Sequence, residues 1–191
     1  MTVSPTLDQR FREAAAAAGL LDVAYDFADT PVGTLLVATT DRGLCRISYD
    51  PDPEHAAEKL AETFGLRVLR AAKPVDPARR QLGEYFEGTR TEFELPLDLR
   101  VAGEFNREVL KLLAQVPYGQ LTTYGTLAAE AHRPKAARAV GVVMNRNPIP
   151  IVLPCHRVVG ANGSLVGYAG GLDRKEQLLK LEGAIQPQLD V

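Results

Sequence analysis

Residues 123–146 read TYGTLAAEAHRPKAARAVGVVMNR, and two short helices are legible in them. Thr123 can cap the first, over 124–131, with Leu127 and Ala128 turned inward. The break His132-Arg133-Pro134 precedes a second helix, from Lys135 to about Arg146. Two short helices across a tight turn, the second one basic, form a helix-turn-helix pattern. Many helical hairpins share this spacing and never touch DNA, so composition has to add to it. In the second helix Ala136, Ala137, Ala139 and Gly141 surround one long cation, Arg138. Small residues let something wide approach closely, and a projecting Arg suits a DNA groove, a narrow one above all. A tight helix–helix contact is the competing explanation of the same residues.

Charge along the chain points the same way. The net charge of −2 hides an uneven distribution: 14 Lys and Arg face 20 Asp and Glu over residues 1–130, and 8 face 2 over 131–180. No acidic residue stands between Ala131 and Leu172, where Arg133, Lys135, Arg138, Arg146 and Arg157 fall. A local basic stripe is what a phosphate backbone requires, because counterion release supplies much of the affinity. A solvated surface with chance asymmetry is the plain alternative.

Outward from this stretch, the chain of 191 residues divides in two. Residues 1–98 read as a small α+β unit. Ser4-Pro5 opens an extra helix at about 5–19. β-like runs follow around 22–28, 33–40 and 43–49, parted by turn residues at 29–33 and 40–43. Helices are expected at PEHAAEKLAETF and DPARRQLGEYFEG, and a last strand at EFELPLDL. Residues 103–191 read as mainly helical, beginning with a helix that turns Phe105, Val109, Leu110, Leu112 and Leu113 to one face. There is no long uncharged apolar stretch to span a membrane. The start, MTVSPTLDQR, lacks a secretory pattern, so the expected location is cytoplasmic. Cys45 and Cys155, far apart, fit a reducing compartment better than a disulfide framework.

The chemistry is expected just beyond the second helix. Asn147-Pro148-Ile149-Pro150 feeds the apolar run 151–153, and Pro154 then presents Cys155-His156-Arg157. Three prolines in seven residues make a stiff segment, which matters if the cysteine must meet something held by the basic helix. A thiolate is the nucleophile, and nearby positive charge or a base favours it. His156 and Arg157 supply both types. Neighbours on an extended strand face opposite ways, so contact between Cys155 and His156 needs a bend or a bridging water. A third group should orient the imidazole, and Asp173, Glu176 and Glu182 are the nearest downstream carboxylates. An inert buried cysteine is the commoner meaning of an isolated Cys-His pair. Zinc is disfavoured, because two distant cysteines and His55, His132 and His156 give no ligand spacing.

PCHRVVG, preceded by RAVGVVMNRNPIPIVL and followed by GSLVGYAGGLDRKEQLLKLEG, resembles the signature of the O6-alkylguanine-DNA alkyltransferases. The similarity runs nearly unbroken from Val116 to Gly183 and is weaker in the N-terminal half. The resemblance implies a ribonuclease H-like N-terminal domain carrying a small three-stranded sheet, and a winged-helix-like C-terminal domain. It implies repair by direct reversal: the damaged guanine flips out of duplex DNA bound at the minor groove, and a cysteine takes the alkyl group once, irreversibly, without metal or cofactor. O4-alkylthymine is a second expected substrate. Flipping costs a few kcal/mol, less at a weakened lesion pair.

By this resemblance Cys155 is the alkyl acceptor, His156 its base through a water, Glu182 the orienting carboxylate and Asn147 the hinge. Arg138 is the finger that enters the stack, with Ala136, Ala137 and Met144 beside it, and Tyr124 meets the target phosphate and the base edge. The Val158 and Cys155 carbonyls read the guanine amino group, and the loop of Tyr168 and Ala169 closes over the pocket. A monomer is expected, with cooperative loading on DNA left open. FNREVL departs from many relatives, which carry Gln after the Phe and Trp at the Leu110 position, and the zinc ligands of some animal members have no counterpart. Two rival readings are a lesion-binding DNA protein without transfer activity and, further off, a cysteine hydrolase, for which the basic helix has no use.

Overall fold

The computed structural model describes residues 4–186. It divides into two compact units, Met1–Glu87 with Phe93–Val101, and Gly88–Glu92 with Ala102–Val191.

In the first unit α1 (Pro5–Ala17) precedes an antiparallel meander, β1 (Val23–Thr30), β2 (Gly33–Thr40) and β3 (Gly43–Tyr49). The three strands read from sequence are joined by a fourth. β4 (Val68–Arg70) pairs parallel with β1, and the sheet order is β3-β2-β1-β4. Three residues of FGLRVLR carry too short a pattern to announce a strand, and pairing with the β1 edge makes it one. Leu35-Leu36-Val37-Ala38 is buried at all four positions because both faces of the sheet are covered. Val23, Tyr25, Leu36 and Ala38 pack with Ala56 and Leu60 of α2 (Ala56–Phe64). α3 (Ala72–Phe86) covers β1 and β2 with Val75, Ala78, Leu82 and Tyr85 buried.

Two expectations shift here. α3 begins at Ala72, ahead of Asp76-Pro77, so Pro77 lies inside it at the cost of one helical hydrogen bond. EFELPLDL forms no strand of its own. It makes a single bridge, Leu44 to Leu97, with Leu44 N donating to Pro96 O at 2.8 Å and Asp98 N to Leu44 O at 2.8 Å. Pro96 has no N–H with which to extend a ladder. Gly43, at φ 129°, is what allows the approach: a Cβ there would lie 2.2 Å from Pro96 O.

In the second unit α4 (Glu104–Leu113), α5 (Tyr124–Glu130) and α6 (Ala137–Asn145) pack on one another. Val109, Leu110 and Leu113 are the buried face of α4, with Phe105 and Leu112 half-buried at its margin. A short parallel pair, β5 (Thr122–Thr123) with β6 (Val158–Val159), ties the entry of α5 to the chain just after the Cys-His-Arg triplet. α7 (Leu172–Leu181) packs behind that triplet.

Candidate active site

Thr123 caps α5, its Oγ1 accepting from Thr126 N at 3.0 Å. The turn to α6 passes through His132 at φ 55°, a left-handed position where glycine is the usual occupant. α6 turns Val140, Val143 and Met144 inward and leaves Arg138, Ala139, Val142, Asn145 and Arg146 exposed. Ala136 and Ala137 are half-buried at its start. Of the small residues only Ala139 is open to solvent; Ala136, Ala137 and Gly141 are half-buried, and a Cβ at Gly141 would lie 3.9 Å from the Tyr124 ring. Met144 and Val158 are buried, unlike the other residues expected to meet DNA or the flipped base.

Between α6 and Cys155 the chain is held by one side chain. Asn147 Nδ2 donates to Leu153 O at 2.7 Å and to Cys155 Sγ at 3.1 Å, while its Oδ1 accepts from Ile149 N at 3.0 Å. Inside that turn Ile151 is buried at φ 74°, a strained conformation for a β-branched residue. Asn147 thus fixes the thiol relative to the end of the basic helix.

Cys155–Arg157 form a single 3-10 turn, which is the bend expected between Cys155 and His156. It does not join them directly. His156 Nε2 meets Glu182 Oε1 at 2.8 Å, and neither side chain has any exposure. An ionised carboxylate only accepts, so Nε2 carries the hydrogen and Nδ1 of the neutral ring is the bare nitrogen. Nδ1 is buried without a hydrogen-bond partner among the described residues.

Arg157 corrects an expectation. It does not serve the thiol: Nε donates to Glu182 Oε2 and Nη2 to Oε1, both at 2.8 Å, and Nη1 donates to Val116 O at 2.6 Å. Burial pushes Glu182 up, but bonds from His156 and Arg157 and their charges prevail and bring it to about 2. Burial holds His156 below its ordinary value against the pull of Glu182. Burial also raises Cys155 to about 11, with the Asn147 bond and the Lys175 charge opposing. Cys155, 3% exposed, therefore rests as a thiol and needs a base to become a nucleophile.

The sequence reading missed Lys175. It is fully buried, and Nζ donates to Val158 O at 2.6 Å and Val166 O at 2.9 Å. Tyr124 Oη also donates to Val166 O, at 3.2 Å, so two side chains pin the loop before α7. Tyr168 is half-buried in that loop and Ala169 exposed. The signal was available: Lys175, Leu178, Leu179 and Glu182 share one helical face, which places two charges among core positions. Among the described residues, no group of three or more His, Cys, Asp or Glu side chains could hold a metal ion, and no helix is long and apolar enough to cross a membrane.

Two family descriptions match this chain: the 6-O-methylguanine DNA methyltransferase DNA binding domain over residues 104–184, and its ribonuclease-like domain over 23–99. The methylated-DNA–protein-cysteine methyltransferase of Mycolicibacterium paratuberculosis is 42% identical over 165 residues, covering 86% of this chain and 95% of that protein. The chain belongs to the methylated-DNA–protein-cysteine methyltransferase family. The Methanosarcina acetivorans methyltransferase is 41% identical over 160 residues, 84% of this chain and 98% of that one. A solved methyltransferase relative, Mycobacterium tuberculosis OGT in complex with DNA, superposes with TM-score 0.74 at 37% identity, covering 84% of this chain and 93% of that one. The match to the ribonuclease-like domain begins at residue 23, so α1 lies ahead of it.

Proposed function

We propose that this protein repairs O6-alkylguanine in duplex DNA by irreversible transfer of the alkyl group to its own Cys155, one event per molecule. The observation that carries this reading is Asn147 bonded to Cys155 Sγ, beside a buried His156–Glu182 couple and at the end of an exposed basic helix.

The exposed side of α6 enters the minor groove, Ala136 and Ala137 permit close approach, and Arg138 fills the stack where the guanine leaves. Tyr124 meets the target phosphate and the base edge, and Met144 and Val158 line the pocket that receives the base. The loop carrying Tyr168 and Ala169 closes over it. Base entry has to loosen the Tyr124–Val166 bond, because the resting sulfur is covered.

In the reaction the Cys155 proton passes through a water to His156 Nδ1, and Glu182 holds the resulting imidazolium. The S–C bond forms as the C–O6 bond breaks, with that electron pair leaving on guanine, which then takes up a proton. No metal or cofactor enters the balance. O4-alkylthymine is the second substrate, and the protein acts as a monomer that can load cooperatively along DNA. A reaction that consumes a free thiol belongs in a reducing compartment, here the cytoplasm.

The test is mass spectrometry after exposure to an oligonucleotide with one O6-methylguanine. One methyl mass should appear on the Cys155 peptide, and none in Cys155→Ser. An unmodified peptide under saturating duplex would overturn transfer, and reversible binding that survives Cys155→Ser would mark a lesion-binding protein instead.

A further inference from the structure

The first use of Glu182 is to orient His156, yet a more strongly bound partner holds the same carboxylate. Arg157 takes both oxygens in a fork at 2.8 Å each. Gly119 N donates to Oε2 at 3.3 Å, and His156 Nε2 shares Oε1 with the arginine. Gly119 has to be glycine for this, since at φ 73° a Cβ would lie 2.9 Å from Glu182 O. The Arg157 guanidinium is itself fixed by Val116 O at 2.6 Å and lies 5.8 Å from the Tyr118 ring centroid.

We propose that Arg157 is a positioning residue that keeps His156 neutral, and so free to act as base, by clamping Glu182 and offsetting its charge. This rests on the repair reading above and adds to it the control of the base. A buried carboxylate facing a histidine alone favours the imidazolium, and a base that already holds its proton cannot take the one on Cys155. With Arg157 in the fork, one negative charge is shared between two cations, so protonating His156 leaves a net positive cluster in a buried place.

The other groups facing His156 act in the same sense or weakly. Lys175 on α7 adds positive charge, Cys155 is a neutral thiol at rest, and Tyr118 is a neutral phenol beside Glu182. The fork also denies Glu182 the proton. Four donors converge on its two oxygens, so a proton there would have to displace one of them. The transferred proton therefore ends on His156.

The experiment measures single-turnover methyl transfer at saturating methylated duplex from pH 8 to pH 6, together with the NMR titration of the His156 ring in the free protein. In the wild type, transfer should change less than about twofold between pH 8 and 6.5, and His156 should titrate below its ordinary value. In Arg157→Gln the acid limb should move up by about one pH unit or more, so that transfer falls about threefold or more over that interval and recovers at higher pH. Arg157→Lys, which keeps the charge, should restore the wild-type limb.

A merely structural role would slow transfer equally at every pH. Parallel profiles with an unchanged His156 titration would overturn the proposal. So would a wild-type His156 that titrates at its ordinary value, a result that needs no variant to fold. Arg157→Met, uncharged and close in length, replaces the glutamine variant if that one unfolds. Absence of any methyl on wild-type Cys155 would refute the repair reading, while the ring titration would still judge Arg157.

Discussion

Asn147 Nδ2 stands 3.1 Å from Cys155 Sγ, eight positions along the chain, and the same nitrogen holds Leu153 O at 2.7 Å. One amide just beyond α6 thus shapes the strained turn at Ile151 and sets the sulfur in place. Asn147→Ala leaves two acceptors and the Ile149 N–H short of partners. It should cost about 2–4 kcal/mol of stability, on the order of 1–3 kcal/mol per buried group left unsatisfied. Methyl transfer should slow at least tenfold, because the sulfur loses its fixed place. Urea unfolding and quenched single-turnover assays measure the two effects separately.

Alkaline pH should weaken the fold through the two buried thiols. Burial raises Cys155 to about 11 and Cys45 to about 12. Below the unfolded thiol value both states keep their protons, and the stability is intact. Above roughly pH 8.5 the unfolded chain releases protons that the folded chain retains, so stability falls as pH rises towards 11. Each thiol contributes up to about 1.4 kcal/mol per pH unit in that window. Stability measured at pH 8 and at pH 10 should differ less in Cys45→Ala than in the wild type, and equal slopes would refute the assignment.

Glu182 works at the other end of the scale. Its folded value, about 2, lies below that of an unfolded glutamate, so its contribution is complete above roughly pH 4.5 and is lost as pH falls towards 2. His156, held low by burial, adds to the acid loss, because the unfolded ring takes a proton below about 6.5 that the folded ring refuses. In Glu182→Gln the acid limb of the stability curve should flatten below pH 4.5.

Much of this site was legible before the fold. Helix periodicity placed α4, α5 and α6, Thr123 was readable as a cap, and Cys155, His156 and Glu182 could be nominated by residue type. What escaped was long-range. Arg157 follows Cys155 in sequence and looks like its activator, yet the 3-10 turn sends its guanidinium to a carboxylate 25 positions away. β4 is three residues long and is defined only by its pairing with β1. Lys175 escaped as well, because nothing in its sequence neighbourhood announces the two carbonyls that its buried ammonium meets.

Lys175 and Tyr124 should govern the mobility of the loop before α7. Lys175→Met leaves Val158 O without its charged donor and Val166 O with Tyr124 alone. It should speed amide exchange over residues 160–171 and cost about 2–3 kcal/mol, the range for lost charged hydrogen bonds. Tyr124→Phe removes one neutral bond and should cost about 1 kcal/mol with a smaller change in exchange. Hydrogen-exchange mass spectrometry ranks the two, and no change in either variant would remove the pin from the account.

Arg138 separates DNA engagement from chemistry. It is exposed on α6 and contributes nothing to the core, so Arg138→Ala should leave stability within about 0.5 kcal/mol. On the proposed finger role, transfer from duplex should fall at least tenfold, whereas transfer from the free O6-methylguanine base should persist. Equal losses on both substrates would place Arg138 in the chemistry, and no loss on either would dismiss the finger. The flanking cations Lys135 and Arg146 are exposed, and their charge is what a phosphate backbone would attract. Lys135→Gln and Arg146→Gln should each lower the slope of log K against log salt by about 0.9, the value per phosphate neutralised, with the transfer rate at saturating DNA unaltered. A slope that ignores both substitutions would mean that the basic stripe does not face the backbone, whatever Cys155 does.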